Sequence, residues 1–157
     1  MIESCHTYGV PVVVDPKGTD WTKYAYADYI TPNLKEINQV LAEPIHNEDR
    51  AVEVAAHYVM NRFNIRNVIV TRSEEGLSLI RDDENVHIPT KAQEVFDVSG
   101  AGDTVIAVFA MGLAGGMNPA DSAYMANLAA SVVVAKLGTY AVSREELMAV
   151  LKGEAEK

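Results

Sequence analysis

With a single cysteine, Cys5, in 157 residues, the chain can form no internal disulfide and no cysteine-rich zinc site. Basic residues are scarce as well: 13 Lys and Arg stand against 22 Asp and Glu, a net charge of −9. The acids are spread along the chain, so no basic patch is available to read nucleic acid or an anionic membrane surface. Nucleotides remain possible, because backbone N–H groups and one or two cations suffice to hold phosphate. Long apolar runs are also missing. The longest, Leu128 to Ala135, falls far short of a bilayer span. Met1 to His6 lack the basic flank and apolar core of a secretory signal, and the cytoplasm is the expected compartment. We find no internal repeat, low-complexity tract or linker. What is present is an ordinary globular composition, 48% apolar and 22% charged, and enough chain for one domain over 1–157 with its own core.

Patterning predicts strands alternating with helices, then a helical C-terminal part. A short helix over residues 1–8 stops at Gly9 and Pro11. Pro11 to Asp15 is a continuous β-branched run that reads as a buried parallel strand. Asp28 to Thr31 and Arg66 to Thr71 read as further strands. Helices are expected over Asn33 to Leu41 and Asn47 to Phe63, the latter with Val52, Ala55, Ala56, Val59 and Phe63 on one face. Leu77 to Arg81 and Asn85 to Ile88 form a hairpin across Asp82-Asp83. Beyond them, a helix runs from Gly100 to Leu113. Asn118-Pro119 then opens one reaching Lys136, and the capping box at Ser143 to Glu146 opens a last one. This is an α/β layered fold with a mostly parallel sheet. Met111 and Met117 read as core filler, and His46, His57 and His87 have no ligand-like spacing.

The segment richest in chemistry is Asp97-Val98-Ser99-Gly100-Ala101-Gly102-Asp103. Phosphoryl transfer needs held phosphates, neutralised charge and an acceptor hydroxyl aimed in line. A glycine turn entering a helix serves the first two needs, since uncapped N–H groups converge there and the helix dipole favours an anion. An acid in the first turn, Asp103, would then accept the proton of the attacking hydroxyl. The residues alone also allow a plain glycine turn in which Asp103 merely complements the dipole.

The whole heptad resembles the C-terminal signature of the ribokinase-like (PfkB) carbohydrate kinases, D-[T/V]-x-G-A-G-D followed by a small-residue helix, here Thr104-Val105-Ile106-Ala107. The resemblance implies a catalytic base at Asp103 and an anion hole at Gly100, Ala101 and Gly102. It implies ATP and Mg²⁺ as well, with Glu36 of the Asn33-Leu34-Lys35-Glu36 string acting on the metal through water. From the residues alone, that string is a capping box with Asn33 as N-cap. Thr71-Arg72-Ser73-Glu74-Glu75-Gly76 lies at a strand end, where open α/β sheets put ligands, and otherwise reads as an exposed charged turn. In the family this loop is T-x-G-x-x-G and borders the nucleotide, which brings in Thr71, Ser73, Glu74 and Gly76, with Ser73 in place of the first glycine. Lys17 in Asp15-Pro16-Lys17-Gly18-Thr19-Asp20 is a surface lysine or a phosphate contact. Asn127, alone among Ala and Val, reads as a satisfied core amide, while the resemblance implies a place by the adenine or ribose edge.

The Asp15 to Asp20 and Thr71 to Gly76 strings, Ala92-Gln93-Glu94-Val95 and Lys136-Leu137-Gly138-Thr139 resemble one subgroup, the heptose 7-phosphate kinases of ADP-heptose and lipopolysaccharide-core synthesis. That implies transfer of the γ-phosphoryl group of ATP to the anomeric hydroxyl of the sugar phosphate. The resemblance covers only the C-terminal half of the family domain; the N-terminal sugar-binding half and lid are not in this sequence. A sheet edge and apolar surface would then be exposed, and a homo-oligomer or pairing with a separate N-terminal half is expected. A non-catalytic nucleotide-binding or assembly module, or a kinase for another sugar or nucleoside, are the alternatives.

Overall fold

The computed structural model describes residues 1–91 and 95–155. They fall into two compact units, Met1–His87 and Ile88–Lys157. Ala92, Gln93 and Glu94, part of the subgroup resemblance, lie outside the described residues.

The first unit is built on one five-stranded sheet whose strands lie side by side in chain order. After α1 (Ile2–Thr7) come β1 (Val13–Val14), β2 (Tyr29–Ile30), α2 (Leu34–Val40), α3 (Asp49–Phe63) and β3 (Val68–Thr71). Strands β1, β2 and β3 are parallel, with Val14 opposite Ile30 and Ile30 opposite Val68. The hairpin of β4 (Leu77–Ile80) and β5 (Asn85–Ile88) extends the sheet, β4 running antiparallel to β3. The run at Pro11 to Asp15 differs from its expected form. Its ladder is only two residues long, and Val13 and Val14 are half-buried, because β1 is the sheet's edge in this chain. Asp28 fastens that edge. Its Oδ2 accepts the Val12 N–H at 2.8 Å and lies 2.8 Å from His6 Nε2, while Oδ1 accepts from Arg66 at 2.7 Å. Burial opposes the Asp28 charge, but these partners together hold the carboxyl below its ordinary range.

Helix α3 supplies more of the core than any other element of this unit. Val52, Ala55, Ala56, Val59 and Phe63 are buried on one face, as their spacing requires, joined by Met60. Each such large side chain contributes roughly 1.5–3 kcal/mol by leaving water. The helix ends at Asn64, whose left-handed backbone (φ 53°) suits an Asn better than most residues. Trp21 is fully buried, its ring tilted against Phe63 at 5.8 Å and its indole N–H donated to the Gly18 carbonyl at 2.8 Å.

The second unit is helical. Helix α4 (Ala101–Ala114) packs on α5 (Pro119–Val134), and α6 (Arg144–Ala155) packs on α5. Asn118 caps α5 by accepting the Asp121 N–H at 2.8 Å, with Pro119 in the first turn. The helix stops at Val134, short of Lys136. Its last carbonyl accepts the Phe96 N–H at 2.8 Å, which fixes the entry to the glycine loop. Met111 and Met117 are 58% and 38% exposed, so neither fills the core. The buried stripe of α4 is Val105, Val108, Phe109 and Gly112, and Met111 lies off it. No helix among the described residues is long and apolar enough to cross a membrane.

Candidate functional site

In the first unit, the parallel strands deliver their carboxyl ends side by side, the usual position for a ligand in an open α/β sheet. Asn33 bridges Thr71 across these ends, and the Thr71 N–H donates to the Pro32 carbonyl at 3.0 Å. The Asn33 string and the 71–76 loop, far apart in sequence, are therefore neighbours. Lys17, just past β1, joins them. Its Nζ lies 2.9 Å from Asp15 Oδ2 and 3.2 Å from Glu36 Oε1. The Asp15 carboxylate first, and Glu36 with it, hold the ammonium above its ordinary range. The Lys17 side chain is 68% exposed, so the cation is anchored yet free to meet an anion. Asp15, which the sequence reading did not single out, is its strongest partner; an acid two residues before a strand-end lysine was the available signal.

The capping-box reading of Asn33 and Glu36 holds in full. Asn33 Oδ1 accepts the Glu36 N–H at 2.9 Å, and Glu36 Oε2 accepts the Asn33 N–H at 2.8 Å. The cap leaves Oε1 for Lys17, so one carboxylate closes the helix and faces the cation.

The loop after β3 departs from an exposed charged turn at one residue. Ser73, Glu74 and Glu75 are exposed, but Arg72 is 2% exposed. Its guanidinium donates to Asn47 Oδ1 at 2.9 Å, Asp49 Oδ1 at 2.6 Å and Ser78 Oγ at 2.9 Å. Turn position and charge both argue for solvent, so sequence reasoning missed it. Ser73, where the family pattern has glycine, adopts φ 53°, and Gly76 adopts φ 81°. Both lie in the left-handed region that glycine occupies freely.

The second unit holds the glycine loop. Gly100 is the N-cap of α4 at φ 80°, a conformation that asks for glycine. Its carbonyl accepts from the Thr104 N–H at 2.9 Å and hydroxyl at 2.8 Å, starting the helix. Asp97 braces the loop from before. One oxygen accepts the Ser99 N–H at 2.8 Å, the other the Gly138 N–H at 3.1 Å. Ser99, through its side chain and its N–H, and then Gly138 hold the Asp97 carboxyl below its ordinary range. Gly102 differs from Gly100: its φ is not positive, and a Cβ built on it would meet no described atom within 4 Å. Among the described residues nothing demands glycine there. Room beside a helix start is what close approach of a phosphate needs. Asp103, exposed in the first turn of α4, stands one residue on. Asn127, 7% exposed on α5, donates from Nδ2 to the Pro89 carbonyl at 2.9 Å.

The fold is ribokinase-like, as comparison with solved structures shows. A ribokinase from Thermotoga maritima superposes with a TM-score of 0.83 at 31% identity, over 96% of this chain and 52% of that one. An Arabidopsis thaliana ribokinase, solved with ribose and ATP, superposes with a TM-score of 0.86 at 24% identity, over 96% and 50%. The chain belongs to the pfkB family of carbohydrate kinases, whose description matches residues 1–146. Among individual proteins, it is 49% identical to the bifunctional protein HldE of Trichlorobacter lovleyi, over 92% of this chain and 30% of that protein. It is 46% identical to that of Sodalis glossinidius, over 99% and 32%. The chain thus spans about a third of the length of these relatives and half that of the ribokinases.

Proposed function

We propose that this chain is the nucleotide-binding part of an ATP-dependent kinase that phosphorylates the anomeric hydroxyl of heptose 7-phosphate. The substrate follows from its likeness to the bifunctional HldE proteins together with the Asp15 to Asp20 and Thr71 to Gly76 strings. The observation that carries the catalytic reading is Gly102, a glycine that no described residue requires, next to an acid in the first helical turn.

In this reading the N–H groups of Gly100 and Gly102 hold the transferred phosphoryl group, joined by that of Ala101 once it leaves the Val98 carbonyl, to which it donates at 3.2 Å. Asp103 takes the proton as the sugar oxygen bonds to the γ-phosphorus and the bond to the β-phosphate oxygen breaks, leaving ADP. Lys17 meets phosphate charge. Asn33, Thr71, Ser73, Glu74, Gly76 and Asn127 contact the nucleotide. Mg²⁺ bound with the ATP would neutralise phosphate charge. Among the described residues no three acidic, His or Cys side chains gather to hold a metal. A nucleotide-borne Mg²⁺ asks for less, since it keeps waters and phosphate oxygens and takes one or two carboxylates. Glu36, half-buried beside Lys17, fits the role of a partner through water.

The test is Asp103→Asn. Phosphorylation of heptose 7-phosphate should fall at least about a hundredfold while ADP affinity is kept; retained turnover refutes the base. The second reading is a non-catalytic nucleotide-binding or assembly module. It predicts ADP-dependent thermal stabilisation with no sugar phosphorylation by this chain alone. In either case we propose that the β1 edge pairs with another polypeptide, a second copy or a separate N-terminal half. A monomer by light scattering at micromolar concentration, with and without such a half, would exclude that pairing.

A further inference from the structure

We infer that Arg72 and Asn47 are the positioning pair of the 71–76 loop, holding it in the shape that takes the nucleotide; this rests on reading that loop as a nucleotide contact. The two residues grip each other at three points. Arg72 Nε donates to Asn47 Oδ1 at 2.9 Å and Nη2 to the Asn47 carbonyl at 3.3 Å. Asn47 Nδ2 donates back to the Arg72 carbonyl at 2.9 Å. That same carbonyl accepts the Glu75 N–H at 3.1 Å, and the Arg72 N–H donates to the Gly76 carbonyl at 2.8 Å. Thus the clasp takes hold of the turn's own backbone. Its other end is anchored on the first turn of α3 through Asp49 and on β4 through Ser78. His87 backs it, with Nδ1 2.8 Å from Ser78 Oγ and Nε2 3.0 Å from Glu53 Oε1.

Stability alone gives little reason for a guanidinium here, since well-packed apolar residues commonly replace buried ion pairs without loss. What they cannot supply is directed bonds to a loop that is under strain. Ser73 stands at φ 53° where the family pattern has glycine, and a non-glycine residue keeps that backbone only when its surroundings hold it. The clasp is that restraint, and it presents the exposed Ser73 and Glu74 in one arrangement.

Asn47→Ala tests this, because it removes the side-chain half of the grip while Arg72 keeps Asp49 and Ser78. ATP and ADP affinity, read by calorimetry on the full chain, should weaken about tenfold. Hydrogen exchange at the Glu75 and Gly76 amides should quicken by a similar factor while the α3 amides stay protected. Val59→Ala, a core truncation away from the clasp, should lower the melting temperature with nucleotide affinity unchanged. Should Asn47→Ala not fold, Arg72→Lys, which keeps a cation for Asp49 and loses the fork to Asn47, is read by the same criteria. Unchanged affinity in the clasp variant overturns the inference, as does an equal loss in Val59→Ala. A wild-type chain that binds neither nucleotide overturns the reading of the loop itself, and the inference with it.

Discussion

Glu36 serves Asn33 and Lys17 at once: Oε2 closes the cap of α2 on the Asn33 N–H at 2.8 Å, and Oε1 lies 3.2 Å from Lys17 Nζ. Two substitutions separate the roles. Asn33→Ala removes the oxygen that accepts the Glu36 N–H and should cost about 1 kcal/mol in denaturant unfolding. Glu36→Gln keeps an oxygen for the cap and loses only the charge. It should unfold within about 0.5 kcal/mol of wild type, because an exposed pair such as Lys17–Glu36 contributes little. Its Mg²⁺-dependent ATP affinity should nevertheless fall. Equal affinity in the two proteins would assign Glu36 to the cap alone.

The two loop glycines should behave oppositely. Gly100→Ala forces a Cβ onto backbone at φ 80° and should destabilise the chain by roughly 1–2 kcal/mol. Gly102→Ala meets no described atom within 4 Å and sits in the first turn of a helix, where alanine is the better former by up to about 1 kcal/mol. Its melting temperature should hold or rise. ATP binding should suffer in both, and in Gly102→Ala without any loss of fold. If Gly102→Ala binds nucleotide normally, the anion-hole role of this residue is withdrawn.

Local signals carried most of the fold and part of the site. Asn118-Pro119, Ser143 to Glu146 and the apolar spacing in Val52 to Phe63 announce their helices because caps and periodicity act within a few residues. The Gly100 turn was legible for the same reason. What sequence could not convey is the outcome of distant pairings. A β-branched run at Val12 to Val14 looks buried, yet its burial depends on what lies beyond β1 in the sheet. Arg72 looks solvated between Thr71 and Ser73, yet its partner Asn47 comes from the segment just before α3. The juxtaposition of Asn33 with Thr71 likewise follows from strand order.

Helices α4 and α5 pack together with Gly112 against Ser122. A Cβ there would come within 2.6 Å of Ser122 Oγ and 3.0 Å of Ser122 Cβ, on a fully buried residue. Gly112→Ala should therefore destabilise the chain by roughly 1–3 kcal/mol through overpacking, even though alanine favours helix. Adding Ser122→Ala removes the hydroxyl and should recover part of the loss, the pair being non-additive because the two sites touch. Thermal or denaturant unfolding of the two single variants and the double variant reads this. Additive losses would mean that the helices separate rather than collide.

The start of α6 should be sensitive to acid. Glu146 Oε2 accepts the Ser143 N–H at 3.0 Å and hydroxyl at 2.9 Å, and Oε1 accepts the Tyr140 hydroxyl at 2.7 Å. The Ser143 N–H above all, then the two hydroxyls, hold its carboxyl at about 2, against 4.5 for an ordinary glutamate. The folded value lies below the unfolded one, so the contribution is present above pH 4.5 and is lost as pH falls toward about 2. Protonation also turns an acceptor into a donor facing two hydroxyls, and the Ser143 N–H loses its charged partner. Amide exchange at Ser143 should rise across that window while α3, which does not use this group, changes less. Glu146→Gln should flatten the local pH dependence and show faster exchange already at neutral pH. A variant that kept the wild-type acid response would place its origin in another carboxylate, with Asp97 next to be tested because its oxygens join the glycine loop to Gly138.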